Sequence, residues 1–296
     1  MVIARHGGLL AARFRAMASP CELLAETQDV AGFRAAAQQV EREVARLECK
    51  YTRFGRGGVL ALLRRRAGRR VWLDAETAGL IEIAARWHRR SDGLFDITGG
   101  ALQRLWRFGA AATPPDAAAV ERTLARTGFA RLRWEAPRLE LPPGMELDLG
   151  GLCKEYAVDR AHDLLATRLD APALVNLGGD LRVTRARRSG PWRIGIESGD
   201  GSRPAGRVVD LHDGALATSG TARRHVERQG VRYGHVLDPR TGWPVAGGPA
   251  AVSVAAPTCI ESGLQAKIAL LHGAGAAGYL AASGLRGWIA PAAGPH

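Results

Sequence analysis

The amino-acid sequence predicts an α+β fold of mixed or antiparallel sheets flanked by helices, and three observations carry that expectation. Apolar residues recur at helical spacing mainly in the first half of the chain. Short runs rich in Val, Ile and Leu, punctuated by Gly, Asp and Pro, crowd the second half. Helices that precede strands, instead of alternating with them, argue against a strictly parallel sheet. The length, 296 residues at 46% hydrophobic content, suffices to bury a substantial core without disulfides.

In chain order, residues 32–49 place Phe33, Ala36, Ala37, Val40, Val44 and Leu47 on one stripe with charges opposite, an amphipathic helix. Residues 76–90 repeat the pattern with Leu80, Ile83, Ala84 and Trp87, and a third helix is expected over about 155–169, after a Gly-Gly turn. Strands are expected at 173–177, 192–197, 207–211, 232–237 and 250–256. The small residues of 110–115 read as a connection between lobes. The expected organisation is an N-terminal extension over 1–16, one domain over 17–290 and a tail over 291–296, without internal repeats.

Composition narrows the function classes. Cys21, Cys49, Cys153 and Cys259 have neither C-x-x-C spacing nor a histidine pattern, so neither a zinc site nor a disulfide scaffold is expected. The first stretch of apolar residues is interrupted by Arg5, Arg13 and Arg15, unlike a signal peptide, and no run of about 18 apolar residues occurs; a cytoplasmic protein without a membrane span is expected. The formal charge of +12 invites a nucleic-acid reading, but the basic residues are spread along the chain and lack a recognised motif, so a solvated arginine surface is the expectation. Of 41 basic side chains only Lys50, Lys154 and Lys267 are lysines. Lys154 and Lys267 fall inside motifs where a compact ammonium differs from a guanidinium fork, whereas Lys50 reads as incidental.

Four segments concentrate Gly, Asp, Thr and His. In Ser91-Asp-Gly-Leu-Phe-Asp-Ile-Thr98, Asp96 and Thr98 flank a turn, and Phe95 with the later Trp106 offers flat surface for a ring system; the other reading is a helix cap with an aromatic anchor. In Asp148-Leu-Gly-Gly-Leu-Cys-Lys154, a glycine pair opens a helix whose first turn carries a lysine, which suits a pyrophosphate, or is an ordinary strand-to-helix turn. Asn176-Leu-Gly-Gly-Asp180 reads as a hairpin. His235-Val-Leu-Asp-Pro-Arg-Thr-Gly242 contains turn chemistry, with a histidine three residues before the aspartate that a turn alone does not need.

Taken in order, Met17-Ala-Ser-Pro20, Gly93-Leu-Phe-Asp-Ile-Thr98, Leu147-Asp-Leu-Gly-Gly-Leu-Cys-Lys-Glu-Tyr-Ala-Val-Asp159, Asn176-Leu-Gly-Gly-Asp180, Ala217-Thr-Ser-Gly220 and His235-Val-Leu-Asp-Pro-Arg-Thr-Gly-Trp-Pro244 resemble the motif series of the ApbE-type FAD:protein FMN transferases, from about Met17 to Gly287. The resemblance implies an FAD-binding α+β domain that uses Mg²⁺ to pass FMN to a Thr or Ser hydroxyl of an acceptor protein and release AMP. Carried over residue by residue, it implies FAD contacts at Met17, Leu94, Phe95, Asp96, Asp148, Lys154 and Leu237. Phe54 stands where the family usually has a tyrosine beside the flavin, and His235 and Asp238 match the loop beside the pyrophosphate, both as candidate proton acceptors.

The resemblance breaks at the metal. Where the family reads like A-D-A-L-A-T, this chain has Ser262-Gly-Leu-Gln-Ala-Lys267, so the aspartate falls on Gly263 and the threonine on Lys267. Mg²⁺ prefers oxygen ligands, which this segment lacks, and Lys267 is expected to put a fixed positive charge where a dication would sit. Gly58 and Arg64 replace polar residues, and Glu155 replaces a glycine after Lys154. Three readings follow: a flavinyltransferase with Lys267 in the metal's role, an FAD pyrophosphatase, or a flavin-binding protein without transfer.

Overall fold

The computed structural model describes residues 1–109, 112–196, 207–221, 225–228, 231–245 and 247–291. The chain opens with three strands, β1 (Val2–His6), β2 (Leu9–Ala16) and β3 (Ser19–Ala25). Helices α1 (Val30–Tyr51) and α2 (Gly58–Arg65), strand β4 (Arg70–Trp72) and helices α3 (Ala75–Arg90), α4 (Gly100–Leu105) and α5 (Ala117–Leu124) follow. Then come β5 (Arg133–Glu135), β6 (Arg138–Glu140), α6 (Cys153–Arg168), β7 (Ala173–Leu177), β8 (Asp180–Val183), β9 (Trp192–Ile196), β10 (Arg207–Leu211) and β11 (Gly214–Gly220). The last elements are β12 (His225–Arg228), β13 (Val231–Gly234), β14 (Ala251–Ala256), α7 (Cys259–Leu271), α8 (Ala276–Ser283) and β15 (Arg286–Ala290).

Eight of these strands form one sheet in the order β1-β2-β3-β7-β8-β11-β14-β15, antiparallel at every junction. One face buries its alternate residues, among them Leu23, Val175, Ala217 and Val254, against α1, α6 and α7. Phe33, Val40, Val44 and Leu47, the stripe legible in the sequence, are the fully buried side of α1. On the other face, Leu174, Leu181 and Leu216 pack with Trp192 and Leu211 of the β9–β10 ribbon. A third, smaller core gathers Leu102, Trp106, Val120, Val226 and Leu237.

The expected helices and the strand at Ala173–Leu177 occur where the periodicity put them. Residue 197, the expected end of the strand from Trp192, residues 110–111 of the expected connection and most of the expected tail lie outside the described residues. Two expectations are corrected. The strand expected over 232–237 ends at Gly234, because His235 and the residues after it enter the Asp238–Trp243 turn, closed by Asp238 N donating to the Trp243 carbonyl at 2.8 Å. The segment 1–16 is not outside the fold: β2 pairs with β3 from Leu10 to Ala16, and Leu10 and Ala12 are buried. Its alternation of small apolar residues with Arg13 and Arg15 is a half-buried strand pattern, overshadowed in the sequence by its charges. Among the described residues, no helix is long and apolar enough to cross a membrane.

One side chain ties three elements together. Asp159 on α6 accepts hydrogen bonds from Cys259 N (2.9 Å) and Ile260 N (3.0 Å), two donors at the start of α7, and from Arg182 Nη1 on β8 (2.8 Å). A carboxylate placed on a helix N-terminus meets both its free N–H groups and its dipole. Asp159→Ala is expected to lower unfolding free energy by about 3 kcal/mol and Asp159→Asn by roughly half as much, read by urea denaturation, since the first leaves two amides and a guanidinium without their acceptor.

Candidate functional site

A cleft of about 910 Å³ opens where the turns at one end of the large sheet meet the start of α6 and the loops at 94–96 and 235–239. Its size is that of a small-molecule site. Met17, Phe54, Leu94, Phe95, Asp96, Asp148, Lys154, His235, Leu237 and Lys267 all line it. The turns that shape it need unusual backbone. Met17 and Ala18 form the β2–β3 turn with φ of 50° and 57°, a left-handed pair normally left to Asn and Gly, and such strain concentrates at ligand sites. The facing β7–β8 turn uses Gly178 (φ 66°), where a Cβ would stand 2.6 Å from that of Ser19, so the two turns close on each other.

Several expected site residues act through their own loops. Asp96 accepts from Thr98 N (2.7 Å), Thr98 Oγ1 (2.6 Å) and Phe129 N (3.0 Å), which fixes the loop that presents Leu94 and Phe95. Asp148 accepts from Gly150 N (2.7 Å) and faces Arg53 Nε at 3.4 Å. Phe54 is 80% exposed at the mouth, its ring under the Arg53 guanidinium at 4.3 Å. Trp106, read as flat surface for a ring, lies outside this cleft. It is 2% exposed, donates Nε1–H to the Gly242 carbonyl (2.9 Å) and packs on Trp243 and Phe108, anchoring the His235 loop.

The two candidate proton acceptors separate. His235 lines the cleft, with its ring edge-on to Phe108 and its carbonyl accepting from Gln103 Nε2 at 3.4 Å. Asp238 is not among the lining residues: it accepts from Arg240 N (2.8 Å), Nε (3.0 Å) and Nη2 (2.7 Å). Burial would raise its carboxyl, but the Arg240 fork more than offsets that and holds it below the ordinary carboxylate value, which suits an ion-paired turn and not a base. Lys50, read as incidental, is structural: its ammonium bridges Asp74 and Glu76, each at 2.7 Å.

The greatest departure from expectation lies between α6 and α7. Lys267 reaches from α7 onto Gly151, its ammonium filling the space a Cβ there would need, 5.9 Å from the Phe95 ring centre. Among the described residues it makes no hydrogen bond or salt bridge, its electrostatic neighbour being the buried Glu155 carboxyl, whereas Lys154 is paired with Asp180 at 2.7 Å. The carboxylate absent at Gly263 has a substitute. The Glu155 side chain enters from α6 and occupies the volume a residue-263 side chain would take, with Oε1 2.8 Å and Cδ 3.0 Å from where that Cβ would be. Glu155, in the first turn of α6, is 6% exposed, and its Oε2 has no hydrogen-bond partner. Burial, then the nearby Asp180, raise its pKa, while Lys267 and Lys154 pull the other way without prevailing. The signal available in the sequence was the coincidence of a gained carboxylate at 155 and a lost one at 263.

This arrangement does not fit a divalent cation. One buried carboxylate that resists ionisation stands among two ammonium groups, one of them pressed on Gly151, and no group of three His, Cys, Asp or Glu suited to a metal occurs among the described residues. Thiolate chemistry is equally disfavoured, because burial raises the Cys153 and Cys259 pKa values.

Two measurements check the exchange. Gly263→Asp alone drives its side chain into Glu155 and destabilises the protein; combined with Glu155→Gly the cost is relieved, a coupling of about 2 kcal/mol in a double-mutant cycle. Glu155 has a raised folded-state pKa, so its stabilising contribution is present below the unfolded value of 4.5 and is lost as pH rises towards the folded value. Glu155→Gln, which cannot ionise, is therefore expected to gain stability relative to the wild type as pH rises above 4.5, read as diverging urea midpoints.

Known proteins share this architecture and these motifs. Residues 17–289 match the ApbE family. The FAD:protein FMN transferase of Treponema pallidum is 34% identical over 225 residues, 69% of this chain and 62% of that protein, and that of Vibrio cholerae is 33% identical over 196 residues, 64% and 59%. The chain thus aligns with somewhat less than two thirds of the length of these relatives. Among solved structures, the ApbE protein of Thermotoga maritima superposes with a TM-score of 0.86 at 27% identity, covering 95% of this chain and 94% of that one. The flavin transferase ApbE of Vibrio cholerae shares the fold, with a TM-score of 0.84 at 22% identity over 97% and 95%. With the family's motifs meeting around one cleft and its match running over nearly the whole chain, this protein belongs to the ApbE family.

Proposed function

We propose that the protein transfers the FMN moiety of FAD to a Ser or Thr hydroxyl of an acceptor protein and releases AMP, with Lys267 serving the pyrophosphate in place of Mg²⁺. The observation that carries the reading is the Lys267 ammonium, which faces a cleft lined by the family's motif residues and makes no hydrogen bond or salt bridge among the described residues. The relatives named FAD:protein FMN transferase support the reaction class. The match of a compact point charge to a phosphate oxygen supports the role of the lysine.

In this reading the acceptor oxygen forms a bond to the FMN-side phosphorus while the phosphorus–oxygen bond to AMP breaks, and AMP leaves with the bonding pair. The hydroxyl proton passes to a base, for which His235, in the cleft, is the candidate, Asp238 being committed to Arg240. Lys154, its charge already balanced by Asp180, orients the phosphates; Lys267 supplies uncompensated positive charge as the transfer proceeds. Burial, then Asp180, raise the Glu155 carboxyl above its ordinary value although Lys267 and Lys154 pull it down, which weakens it as a counter-ion for the Lys267 ammonium.

The test is FAD turnover in EDTA with an acceptor domain bearing a flavinylation site, following AMP by chromatography and acceptor mass by spectrometry. AMP together with an FMN-sized mass gain is expected. Lys267→Ala should slow transfer by about 100-fold or more, a loss typical of a removed charge-stabilising group. AMP without mass gain would indicate a pyrophosphatase; bound, unchanged FAD, even with Mg²⁺ added, would indicate a flavin-binding protein and overturn the proposal.

A further inference from the structure

We propose that the arginine-lined groove beside the cleft mouth receives an acidic segment of the acceptor protein and so sets which hydroxyls reach the flavin; the inference rests on the transfer reading above. The groove, about 580 Å³, shares Arg53, Phe54 and Gln103 with the cleft, so anything seated in it lies at the threshold a hydroxyl must cross. Besides Arg53 its walls carry Arg56, Arg64, Arg104 and Arg107, against a single carboxylate, Glu146. That carboxylate is already taken by Arg104 at 2.5 Å, and Arg53 faces Asp148 at 3.4 Å. Arg56, Arg64 and Arg107 are exposed and have no carboxylate partner among the described residues.

Three uncompensated guanidinium groups held close together repel one another, so the groove gains when carboxylates enter it. The backbone that carries Arg56 is tied to the end of α2. Arg65 Nη1, at the end of α2, donates to the Arg56 carbonyl at 2.7 Å and ties the glycine-rich loop to the helix that carries Arg64. The exposed ring of Phe54 adds an apolar surface at the same rim, where a partner chain buries it. The cleft has its own cations for the FAD phosphates in Lys154 and Lys267, which leaves the groove's charge to the partner that the reaction requires, a protein. Recognition of acidic motifs by arginine clusters is a recurring mode of peptide binding.

The test uses the FAD-loaded protein and two fluorescein-labelled peptides, one with Asp and Glu on both sides of a single Thr, the other with those residues replaced by Asn and Gln. Anisotropy titrations at low and moderate salt are expected to give about tenfold tighter binding of the acidic peptide, narrowing as salt rises. Arg56→Ala/Arg64→Ala/Arg107→Ala is expected to abolish that difference while FAD affinity, read by flavin fluorescence, stays unchanged. As a second readout, where the acidic peptide is flavinylated, the triple variant should raise its KM about tenfold at unaltered kcat. Equal binding of the two peptides, an unaffected triple variant, or displacement of the acidic peptide by a polyuridine oligonucleotide at lower concentration than by its unlabelled self would overturn the proposal. The anisotropy needs no turnover, so a protein that binds the acidic peptide through these arginines but releases no AMP fails the transfer reading alone, and equal flavinylation of both peptides fails the groove alone.

Discussion

Helix α6 lies against α7 across buried charge, and the rest of the site depends on that contact. Asp159 and Glu155 are one helical turn apart and both point towards α7, but they do opposite things. Asp159 is satisfied by two amides at the α7 N-terminus and by Arg182, and so fixes where α7 begins. Glu155 is left with an oxygen that has no partner, next to the ammonium of Lys267. Because the first residue sets the register of α7, Lys267, two turns on, arrives against Gly151 and not elsewhere along the cleft wall. The same first turn of α6 brings Lys154 to Asp180 at the head of β8, so sheet, helix pair and cleft share one electrostatic frame.

Within that frame the substitutions at 155, 263 and 267 are one change. A glycine at 263 alone would leave a hole, and a buried glutamate at 155 alone would collide with any side chain there. Lysine at 267 needs the bare backbone of Gly151, since its ammonium occupies the position of a Cβ. The family resemblance implies a carboxylate at 263 beside a dication; in this chain that volume is filled from α6 by Glu155, next to the Lys267 ammonium. Burial disfavours the charged form of the Glu155 carboxyl, so it opposes the lysine's charge less than an exposed carboxylate would.

Much of this was legible in the sequence, for identifiable reasons. The stripes of α1 and α3 were visible because burial on one side of a helix imposes a period that composition cannot hide. The motif segments were visible because tight turns and ligand loops demand Gly, Asp and Thr. Strands β1 and β2 were not, since a half-buried strand whose outward positions are arginines looks like a charged leader until its partner β3 is known. The ion pair of Asp238 was not legible because its partner, Arg240, is only two residues away and looked like part of a turn. The place of Glu155 was not legible because the residue that explains it, Gly263, is on another helix more than a hundred positions later, a distance no periodicity spans.

The scarcity of lysine gains a physical meaning from the three places it is kept. Lys50 sits between Asp74 and Glu76, in a network where the Arg46 hydrogen bond and then Lys50 hold the Glu76 carboxyl, against burial, at about 2. Lys154 is paired with Asp180, and the Lys267 ammonium takes the space that a Cβ on Gly151 would fill. In each, a compact donor meets several oxygens or a bare backbone from one direction, which a rigid fork does poorly. Arginine instead populates the rim, where Arg56, Arg64 and Arg107 face solvent and a broad, bidentate surface is useful. Lys154 and Lys267 supply the ammonium groups of the cleft, and Arg53, shared by cleft and groove, marks the passage to the arginines of the rim.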